Sequence, residues 1–210
     1  MGDKLLIEPH YLGSLEYYTL LTKYQEVTLE IHQNFTKQSY KNRCYILTAQ
    51  GVMPLMVPVK FGNRTPYKEV KIDNTQSWKR DHWGAIYSGY GKSPFFEYFA
   101  DDLQHILQIK HDFLLDLNVD FMTFCLKVLR VNITFDFTNE YIQTSESSYT
   151  DFREVLHPKK HFADRKIYIP NSYGQNFGNE FAPNLSILDL MLMMGTESVD
   201  ILRKSEFSKG

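Results

Sequence analysis

The chain has 210 residues, of which 43% are hydrophobic and 23% charged, a composition typical of a folded globular protein. The net charge is −2, which argues against a nucleic-acid-binding surface. Only two cysteines occur, so the sequence excludes a disulfide framework and favours a reducing, cytoplasmic location. No stretch approaches the ~18 apolar residues of a membrane span, and we expect none.

The first thirty residues predict a β-loop-α-β unit. Residues 4–8 are apolar enough for a short buried strand, and Ser14 is placed to cap a helix over residues 15–23. Residues 27–31 predict a second strand. Because strands joined through a helix are normally parallel, the opening is Rossmann-like.

Residues 32–59 carry the densest polar signal. The strands Arg43–Thr48 and 52–59 predict a β-hairpin whose three-residue turn ends in Gly51. Just before it, residues 37–43 hold two amides, a phenol and three cations. Such a cluster can bind an anionic, hydroxyl-rich ligand through charge-assisted hydrogen bonds. A buried network paired with acids such as Glu8 or Asp73 is the structural alternative.

The rest of the chain predicts mainly helices. We expect a short strand over residues 69–72, a helix over 78–90, two helices between 94 and 130, a strand over 133–137, and no regular element over 139–183. Asn118 is a possible cap of the second of the two helices. Ser186 and Asp189 have capping-box spacing before an apolar helix, and a final helix follows over 197–204.

The predicted fold is therefore α/β, with a Rossmann-like β-loop-α-β opening, an inserted β-hairpin and a mainly helical second half. One domain over residues 1–210 is expected, with an α/β portion over about 1–93 and a helical portion over about 94–210.

Two histidines are candidate general bases. His10 lies in the loop that leads to the Ser14 cap, where free N–H groups of a helix N-terminus can meet an anion; an ordinary strand-to-helix turn is the alternative. His82 lies between tryptophans near the start of a predicted helix. An imidazole titrates near neutrality and can accept a proton, although a packed or capping histidine is the commoner case.

A second basic cluster lies between residues 153 and 160, formed by Arg153, His157, Lys159 and Lys160. It is either a solvated loop or the far wall of an anion pocket. His157 and His161 have metal-like spacing, but the proline and two lysines between them argue against a metal, and no metal site is predicted. The sequence identifies no cofactor.

Several blocks, in order along nearly the whole chain, resemble the WbqC-like protein family. They are YLGSLEYY (11–18), FTKQSYKNRC (35–44), LMVP (55–58), WKRDHW (78–83), YGKSPFF (90–96), LDLN (115–118) and PNLSILDL (183–190). The resemblance favours these residues as family positions: Tyr11, Gly13, Lys37, Tyr40, Asn42, Arg43, His82, Trp83 and Asp189.

The resemblance implies a role in making or decorating bacterial surface polysaccharide such as O-antigen. The chain would be a cytoplasmic transferase acting on a nucleotide-linked sugar or an activated acyl or aminoacyl donor. In that hypothesis His10 or His82 is the base, and an anionic or sugar substrate contacts Tyr11, Gly13, Lys37, Tyr40, Asn42 and Arg43. The alternative is a non-catalytic ligand-binding or scaffold protein that contacts other enzymes of the pathway.

Overall fold

The computed structural model describes residues 4–143 and 148–206. In chain order its elements are β1 (Lys4–Ile7), α1 (Leu15–Leu21), β2 (Glu26–Leu29), β3 (Arg43–Thr48), β4 (Gly51–Met56), β5 (Val59–Lys60), β6 (Lys71–Ile72), α2 (Trp78–Tyr90), α3 (Phe96–Gln108), α4 (Leu114–Leu129), β7 (Thr134–Phe137), β8 (Tyr149–Asp151), α5 (Ile187–Met194) and α6 (Ser198–Lys204). Short 3₁₀ turns occur at Tyr67–Glu69, Phe162–Arg165 and Gly195–Glu197.

A parallel sheet lies at the centre, in the spatial order β7-β2-β1-β8. Leu5 pairs with Val27 on β2 and with Thr150 on β8, so β1 has a partner on each side. Leu5, Leu6 and Ile7 are all buried because both faces of this strand are covered, as is usual in parallel sheets. The predicted α/β class and its parallel β-loop-α-β opening are confirmed.

The turn into α1 is built for packing. Ser14 Oγ accepts a hydrogen bond from the backbone N–H of Tyr17 at 3.3 Å, which confirms the predicted cap. A Cβ atom at Gly13 would lie 2.7 Å from Cδ1 of Tyr17, so a larger residue would force that ring to move. The carbonyl of Gly13 also accepts from the N–H of Ile187, which joins this turn to α5.

The hairpin forms as predicted, with Thr48 opposite Gly51 and a positive φ of 103° at Gly51. Its second strand is shorter than expected and ends at Met56, since the chain then pairs β5 with β6. The strand predicted over residues 69–72 is correspondingly short, because its first residue belongs to a 3₁₀ turn.

The long helices are confirmed, but one predicted cap is wrong. Helix α4 begins at Leu114, which places Asn118 inside it, fully buried. The Nδ2 of Asn118 donates to the carbonyl of Lys41 at 2.6 Å and to the Tyr67 hydroxyl at 2.5 Å. Asn118 therefore fixes the backbone that carries Lys41.

Strand β8 was not predicted, because its three residues lie in the polar stretch 139–183, of which residues 144–147 fall outside the described part of the chain. Ser186 caps α5 by accepting from the N–H of Leu188, as predicted. The Asp189 carboxylate bonds elsewhere, to Tyr90, Tyr173 and Gln175. In the described residues, we find no helix with both the length and the apolar character needed to cross a membrane.

Candidate functional site

Polar side chains gather where the parallel strands end. Glu8 follows β1, Glu30 comes directly after β2, Thr138 follows β7, and Arg153 lies two residues beyond β8. Glu8, Glu30 and Thr138 are buried. Because ligands of open α/β sheets bind outside the carboxyl ends of the strands, this edge is the natural place to look for a site.

One half of the edge is a closed hydrogen-bond network. Arg153 Nη1 donates to Glu30 Oε2 at 2.8 Å, and its Nε and Nη2 hold both oxygens of Asp151. The Thr138 hydroxyl donates to the other oxygen of Glu30 at 3.1 Å. Arg153, which the sequence grouped with the second basic cluster, thus joins the ends of β8 and β2, and Thr138 joins β7 to the same carboxylate.

The other half opens into a cavity of about 290 Å³, which we name the inner cavity. Its polar lining includes Glu8, Ser39, Lys41, Glu154, His157 and Lys160. Two segments supply most of the wall, residues 39–41 from before the hairpin and residues 154–160 from after β8. A cavity of this size is at the small end of the range for ligand sites.

Lys41 is the least satisfied group in this cavity. Its side chain is 1% exposed, and its Nζ lies 3.7 Å from Glu8 Oε1 and 3.9 Å from Glu154 Oε1. Within residues 4–143 and 148–206 the Nζ has no hydrogen-bond partner. A buried ammonium without hydrogen bonds is costly, so its placement against a cavity indicates a ligand that supplies acceptors.

Glu8 is held in its charged form. Burial raises its pKa, but the Lys41 ammonium and the His10 imidazole outweigh burial and bring the pKa down to about 2. Both carboxylate oxygens accept from the backbone N–H of Glu154 at 3.2 Å. Glu154 adopts a left-handed φ of 56°, a conformation that is costly for a residue with a side chain and that recurs at functional sites.

His10 stands behind Glu8. Its Nε2 lies 3.8 Å from Glu8 Oε1, and its ring stacks on Tyr17 with 4.4 Å between centroids. Burial lowers the pKa of His10, so the imidazole is uncharged at neutral pH. Its Nδ1 has no hydrogen-bond partner among the described residues. His10 does not line the inner cavity, and any effect on a ligand passes through Glu8.

The opposite wall carries His157, Lys159 and Lys160. The Nδ1 of His157 accepts from the backbone N–H of Lys159 at 3.2 Å, so the proton of the neutral ring is on Nε2. Burial, helped by Lys159 and Lys160, lowers the pKa of His157. These three residues line the inner cavity, and both lysines are exposed. The anion-pocket interpretation of the second basic cluster stays a prediction.

Arg165 holds this wall in place. Its Nη1 donates to the carbonyls of His157 and Lys160 at 3.4 and 2.9 Å, and its Nε and Nη2 form a buried, two-pronged ion pair with Glu16. Since Glu16 belongs to α1, the lysine-bearing wall is anchored to the helix that follows β1.

A second cavity of about 460 Å³, the outer cleft, adjoins the first. Aromatic and apolar side chains dominate its lining, including Tyr40, Tyr45, Pro158, Phe162 and Pro183. Lys159 and Lys160 line both cavities.

The structure does not bring His82 and Tyr11 to either cavity. His82 Nδ1 and the Tyr11 hydroxyl lie 2.8 Å apart, in hydrogen-bond contact, and His82 packs edge-on against Trp78. Both residues are buried in the core. Burial lowers the pKa of His82 to about 4, which suits an uncharged core histidine.

The polar cluster at residues 37–43 divides among several places. Tyr40 lines the outer cleft, while Lys37 is exposed, lines a neighbouring groove, and lies 5.3 Å from the centre of the Phe61 ring. Asn42 Nδ2 donates to the carbonyl of Val57 at 2.9 Å. Arg43 Nη2 lies 3.8 Å from the Met56 sulfur on the hairpin. Of the predicted substrate contacts, only Tyr40 lines one of the two cavities, and Lys37 lines the neighbouring groove.

The sequence placed Lys41 in the polar cluster at residues 37–43 and His157 in the second basic cluster, but it did not single out either residue, and it named Glu8 only as a structural acid. A usable signal existed for Glu8, since a carboxylate directly after the first strand of a parallel sheet lies at its binding edge. The basic cluster was a signal for His157, but its position at the sheet edge could not be inferred because β8, the strand before it, was not predicted. In the described residues no group of three or more His, Cys, Asp or Glu side chains is arranged to hold a metal ion.

Comparisons with known proteins identify the family of the chain. The model of the WbqC-like protein family matches residues 8–162, well over half of the chain, and the chain belongs to that family. The chain is also similar to Rv1507c of Mycobacterium tuberculosis (strain ATCC 25618 / H37Rv), an uncharacterized protein, with 28% identity over 231 aligned residues that cover 97% of this chain and 98% of that protein. No solved structure matches the chain significantly. The matched range includes every residue that lines the inner cavity.

Proposed function

We propose that the chain is a transferase that binds an anionic, activated donor in the inner cavity. The observation that carries the proposal is the buried Lys41 ammonium, which faces the cavity with no hydrogen-bond partner in the described residues. A phosphate or carboxylate would supply the missing acceptors, and Lys159 and Lys160 would neutralise the remaining negative charge.

The residues of the cavity divide the chemistry between them. The acceptor's hydroxyl or amine forms the new bond to the transferred group, and the donor's leaving group departs with the bonding electron pair. Glu8 holds the acceptor, whose proton passes to the Glu8–His10 pair. Lys41 and the Nε2 proton of His157 stabilise the charge that develops on the leaving group. The donor is a nucleotide-linked sugar or an activated acyl or aminoacyl group.

Family membership supports a place in bacterial surface polysaccharide biosynthesis or decoration, of the O-antigen type. In that setting the chain acts in the cytoplasm and contacts other enzymes of the pathway. Tyr40 and Lys37, which line the cavities next to the inner one, are its further substrate contacts.

A non-catalytic ligand-binding role is the second candidate, and one observation favours it. Glu8, with a pKa of about 2, is a weak base, and His10 does not line the cavity. A pathway protein that binds the same ligand without turnover would need no stronger base.

A thermal-shift screen tests the proposal. The probes are nucleotides, nucleotide-sugars, acyl-CoA thioesters and inorganic pyrophosphate, each added to the wild type, to Lys41→Met, and to Lys127→Met as an exposed-lysine control. A ligand at 100 times its dissociation constant adds about 2.7 kcal/mol, which raises the Tm of a protein this size by roughly 5–11 °C. The wild type and the control respond, and Lys41→Met does not.

Turnover then separates the two candidates. Release of free nucleoside phosphate or thiol from a binding donor, in the presence of an aminosugar acceptor, supports the transferase. Binding without release supports the ligand-binding role. No response from any anion in a protein that melts cooperatively contradicts both.

A further inference from the structure

We infer that one nucleoside diphosphate occupies both cavities, an inference that rests on the proposed function. The outer cleft binds its nucleoside, and its two phosphates lie at Lys159 and Lys160. The transferred group enters the inner cavity. The ligand class is therefore a nucleoside 5′-diphosphate with a substituent on its terminal phosphate. This chemistry is shared by nucleotide-sugars and by coenzyme A thioesters.

The two cavities adjoin and share two lining residues, Lys159 and Lys160. Ser39 and Lys41 line the inner cavity, while Tyr40, between them in sequence, lines the outer cleft. On the opposite wall, His157 lines the inner cavity, and its neighbour Pro158 lines the outer cleft. The same two short segments therefore contribute to the walls of both cavities. In this inference a single extended ligand passes from one cavity to the other at Lys159 and Lys160, which line both.

The charge lies at the junction of the cavities. Lys159 and Lys160 line both, and their ammonium groups make no ion pair with any residue in the described ranges. Two free cations at the boundary suit a diphosphate, which carries its charge in the middle of the molecule rather than at one end. Lys41, which is buried and has no hydrogen-bond partner among the described residues, lies on the inner side of this boundary.

The outer cleft has the chemistry of a base-binding slot. The rings of Tyr40, Tyr45 and Phe162 line it, and flat heteroaromatic rings stack favourably on such side chains. Burial raises the pKa of Tyr40 to about 12, so its hydroxyl remains a hydrogen-bond donor at neutral pH. The inner cavity offers charged and hydroxyl groups instead, which suit the substituent rather than the base.

Isothermal titration calorimetry tests this division. Inorganic pyrophosphate, the free nucleosides, and the 5′-diphosphates of uridine, thymidine, guanosine, cytidine and adenosine are titrated into the full chain. We expect at least one diphosphate to bind roughly 10- to 100-fold more tightly than pyrophosphate, since stacking adds to the phosphate contacts. Nucleotide-sugars and acetyl coenzyme A form the two arms that distinguish the source of the diphosphate.

Three variants locate the contacts. Phe162→Leu removes the stacking face and should abolish most of the gain over pyrophosphate while leaving pyrophosphate affinity unchanged; Tyr45→Leu is a second variant of the same kind. Lys159→Ala/Lys160→Ala should weaken diphosphates and pyrophosphate alike. The charge-matched control, Lys92→Ala/Lys127→Ala, removes two exposed lysines that line neither cavity and should bind as the wild type does.

The outcomes separate this inference from the proposed function. Pyrophosphate binding that depends on Lys41, with no diphosphate binding more tightly, overturns the nucleoside inference and leaves the proposed function standing. Tighter diphosphate binding that neither ring variant reduces also overturns it, since the base then lies elsewhere. No binding of any anion contradicts the proposed function itself.

Discussion

Two buried carboxylates of this protein, Asp189 and Glu8, have opposite hydrogen-bond surroundings. Asp189, at the start of α5, accepts hydrogen bonds from the Tyr90 hydroxyl at 2.8 Å, the Tyr173 hydroxyl at 2.5 Å and Gln175 Nε2 at 2.9 Å. Glu8, at the end of β1, lies beside a buried ammonium that has no hydrogen bond within the described residues and that faces a cavity.

The difference separates structural polar clusters from functional ones. A buried network whose members are all satisfied joins elements together, as Asp189 joins α2, α5 and the segment around residue 175. A cluster that leaves a buried cation unsatisfied retains a binding capacity that a ligand can use. Burial alone does not distinguish the two, since both carboxylates are almost fully buried.

The largest expected effect is on stability at the satisfied cluster. Asp189→Ala removes the acceptor of three hydrogen bonds and leaves buried hydroxyl and amide donors unpaired. We expect a loss of about 3–5 kcal/mol, or roughly 6–20 °C in Tm for a protein this size. Urea and thermal unfolding measure it. Pyrophosphate affinity of the folded variant should stay within about twofold of wild type; a selective loss of affinity at unchanged stability would make Asp189 a ligand contact.

Lys41→Met should differ from Asp189→Ala in its effect on anion affinity. The variant keeps the length of the side chain but removes the ammonium, so pyrophosphate affinity should fall by about 10- to 150-fold, or ~1.5–3 kcal/mol. Stability should fall as well, because the variant removes the ammonium that lies 3.7 Å from the buried Glu8 carboxylate and keeps it charged. The two variants therefore differ in anion affinity rather than in stability. Calorimetry and thermal unfolding of the same preparations compare the two changes. A large loss of stability with intact affinity would assign Lys41 to the structural class.

Lowering the pH should change the contributions of Glu8 and Asp189 to the free energy of unfolding in opposite directions. The folded pKa of Glu8, about 2, lies below its ordinary value of 4.5, so its stabilising effect is present above pH 4.5 and is lost as the pH falls toward 2. Burial raises the pKa of Asp189 above 3.8, so its contribution is fully present below pH 3.8 and is lost as the pH rises through the folded pKa.

The measurement is urea unfolding at a series of pH values for the wild type, Glu8→Gln and Asp189→Asn. The difference in unfolding free energy between wild type and Glu8→Gln should shrink on acidification. The difference in unfolding free energy between wild type and Asp189→Asn should instead shift in favour of the wild type on acidification. Parallel trends in the two variants would show that the environments of the two carboxylates are alike.

His82→Gln tests the second histidine that the sequence offered as a base. The change removes the hydrogen bond with the Tyr11 hydroxyl, and we expect a stability loss of about 1 kcal/mol, or roughly 2–4 °C. Pyrophosphate affinity should not change, because His82 lies in the core and lines neither cavity. A marked loss of affinity in a variant of normal stability would return His82 to the list of site residues.

The smallest effect is expected for Arg43→Ala. The guanidinium lies on the hairpin near the Met56 sulfur and lines neither cavity. Anion affinity should stay within twofold and stability should change by less than about 1 kcal/mol. Arg43 is half-buried, but its buried Nε has no hydrogen-bond partner in the described residues, so its removal costs little. A tenfold loss of affinity in calorimetry would show that Arg43 reaches the ligand and that the cluster at residues 37–43 acts as one unit.

The fold could be predicted where the local pattern was strong. The β-loop-α-β opening, the hairpin with its turn glycine, and the long helices α2 to α4 follow from periodicity and capping residues. Strand β8 has only three residues among polar neighbours, and nothing local marks it as sheet. Asn118 and Asp189 sit at cap-like spacings, but tertiary partners that are distant in sequence decide what their side chains bind.

The candidate site could be predicted only in outline. The sequence located a dense polar segment at residues 37–43, but it could not say which side of the chain each residue would occupy. Tyr40 and Lys41 are adjacent in sequence and line different cavities. Likewise, nothing local distinguishes His10, which stands behind the cavity carboxylate, from His82, which packs in the core.

The most direct test of the central claim is a pyrophosphate titration of ¹⁵N-labelled protein, followed by NMR of the backbone amides. We expect progressive shifts of the backbone amides of Ser39, Lys41, Glu154, His157, Lys159 and Lys160, and none for Asp189 and Gln175. In Lys41→Met the same shifts should require at least ten times more pyrophosphate. Shifts at the Asp189 cluster alone, or no shifts in the inner cavity at saturating pyrophosphate, would contradict the claim that the unsatisfied cluster is the ligand site.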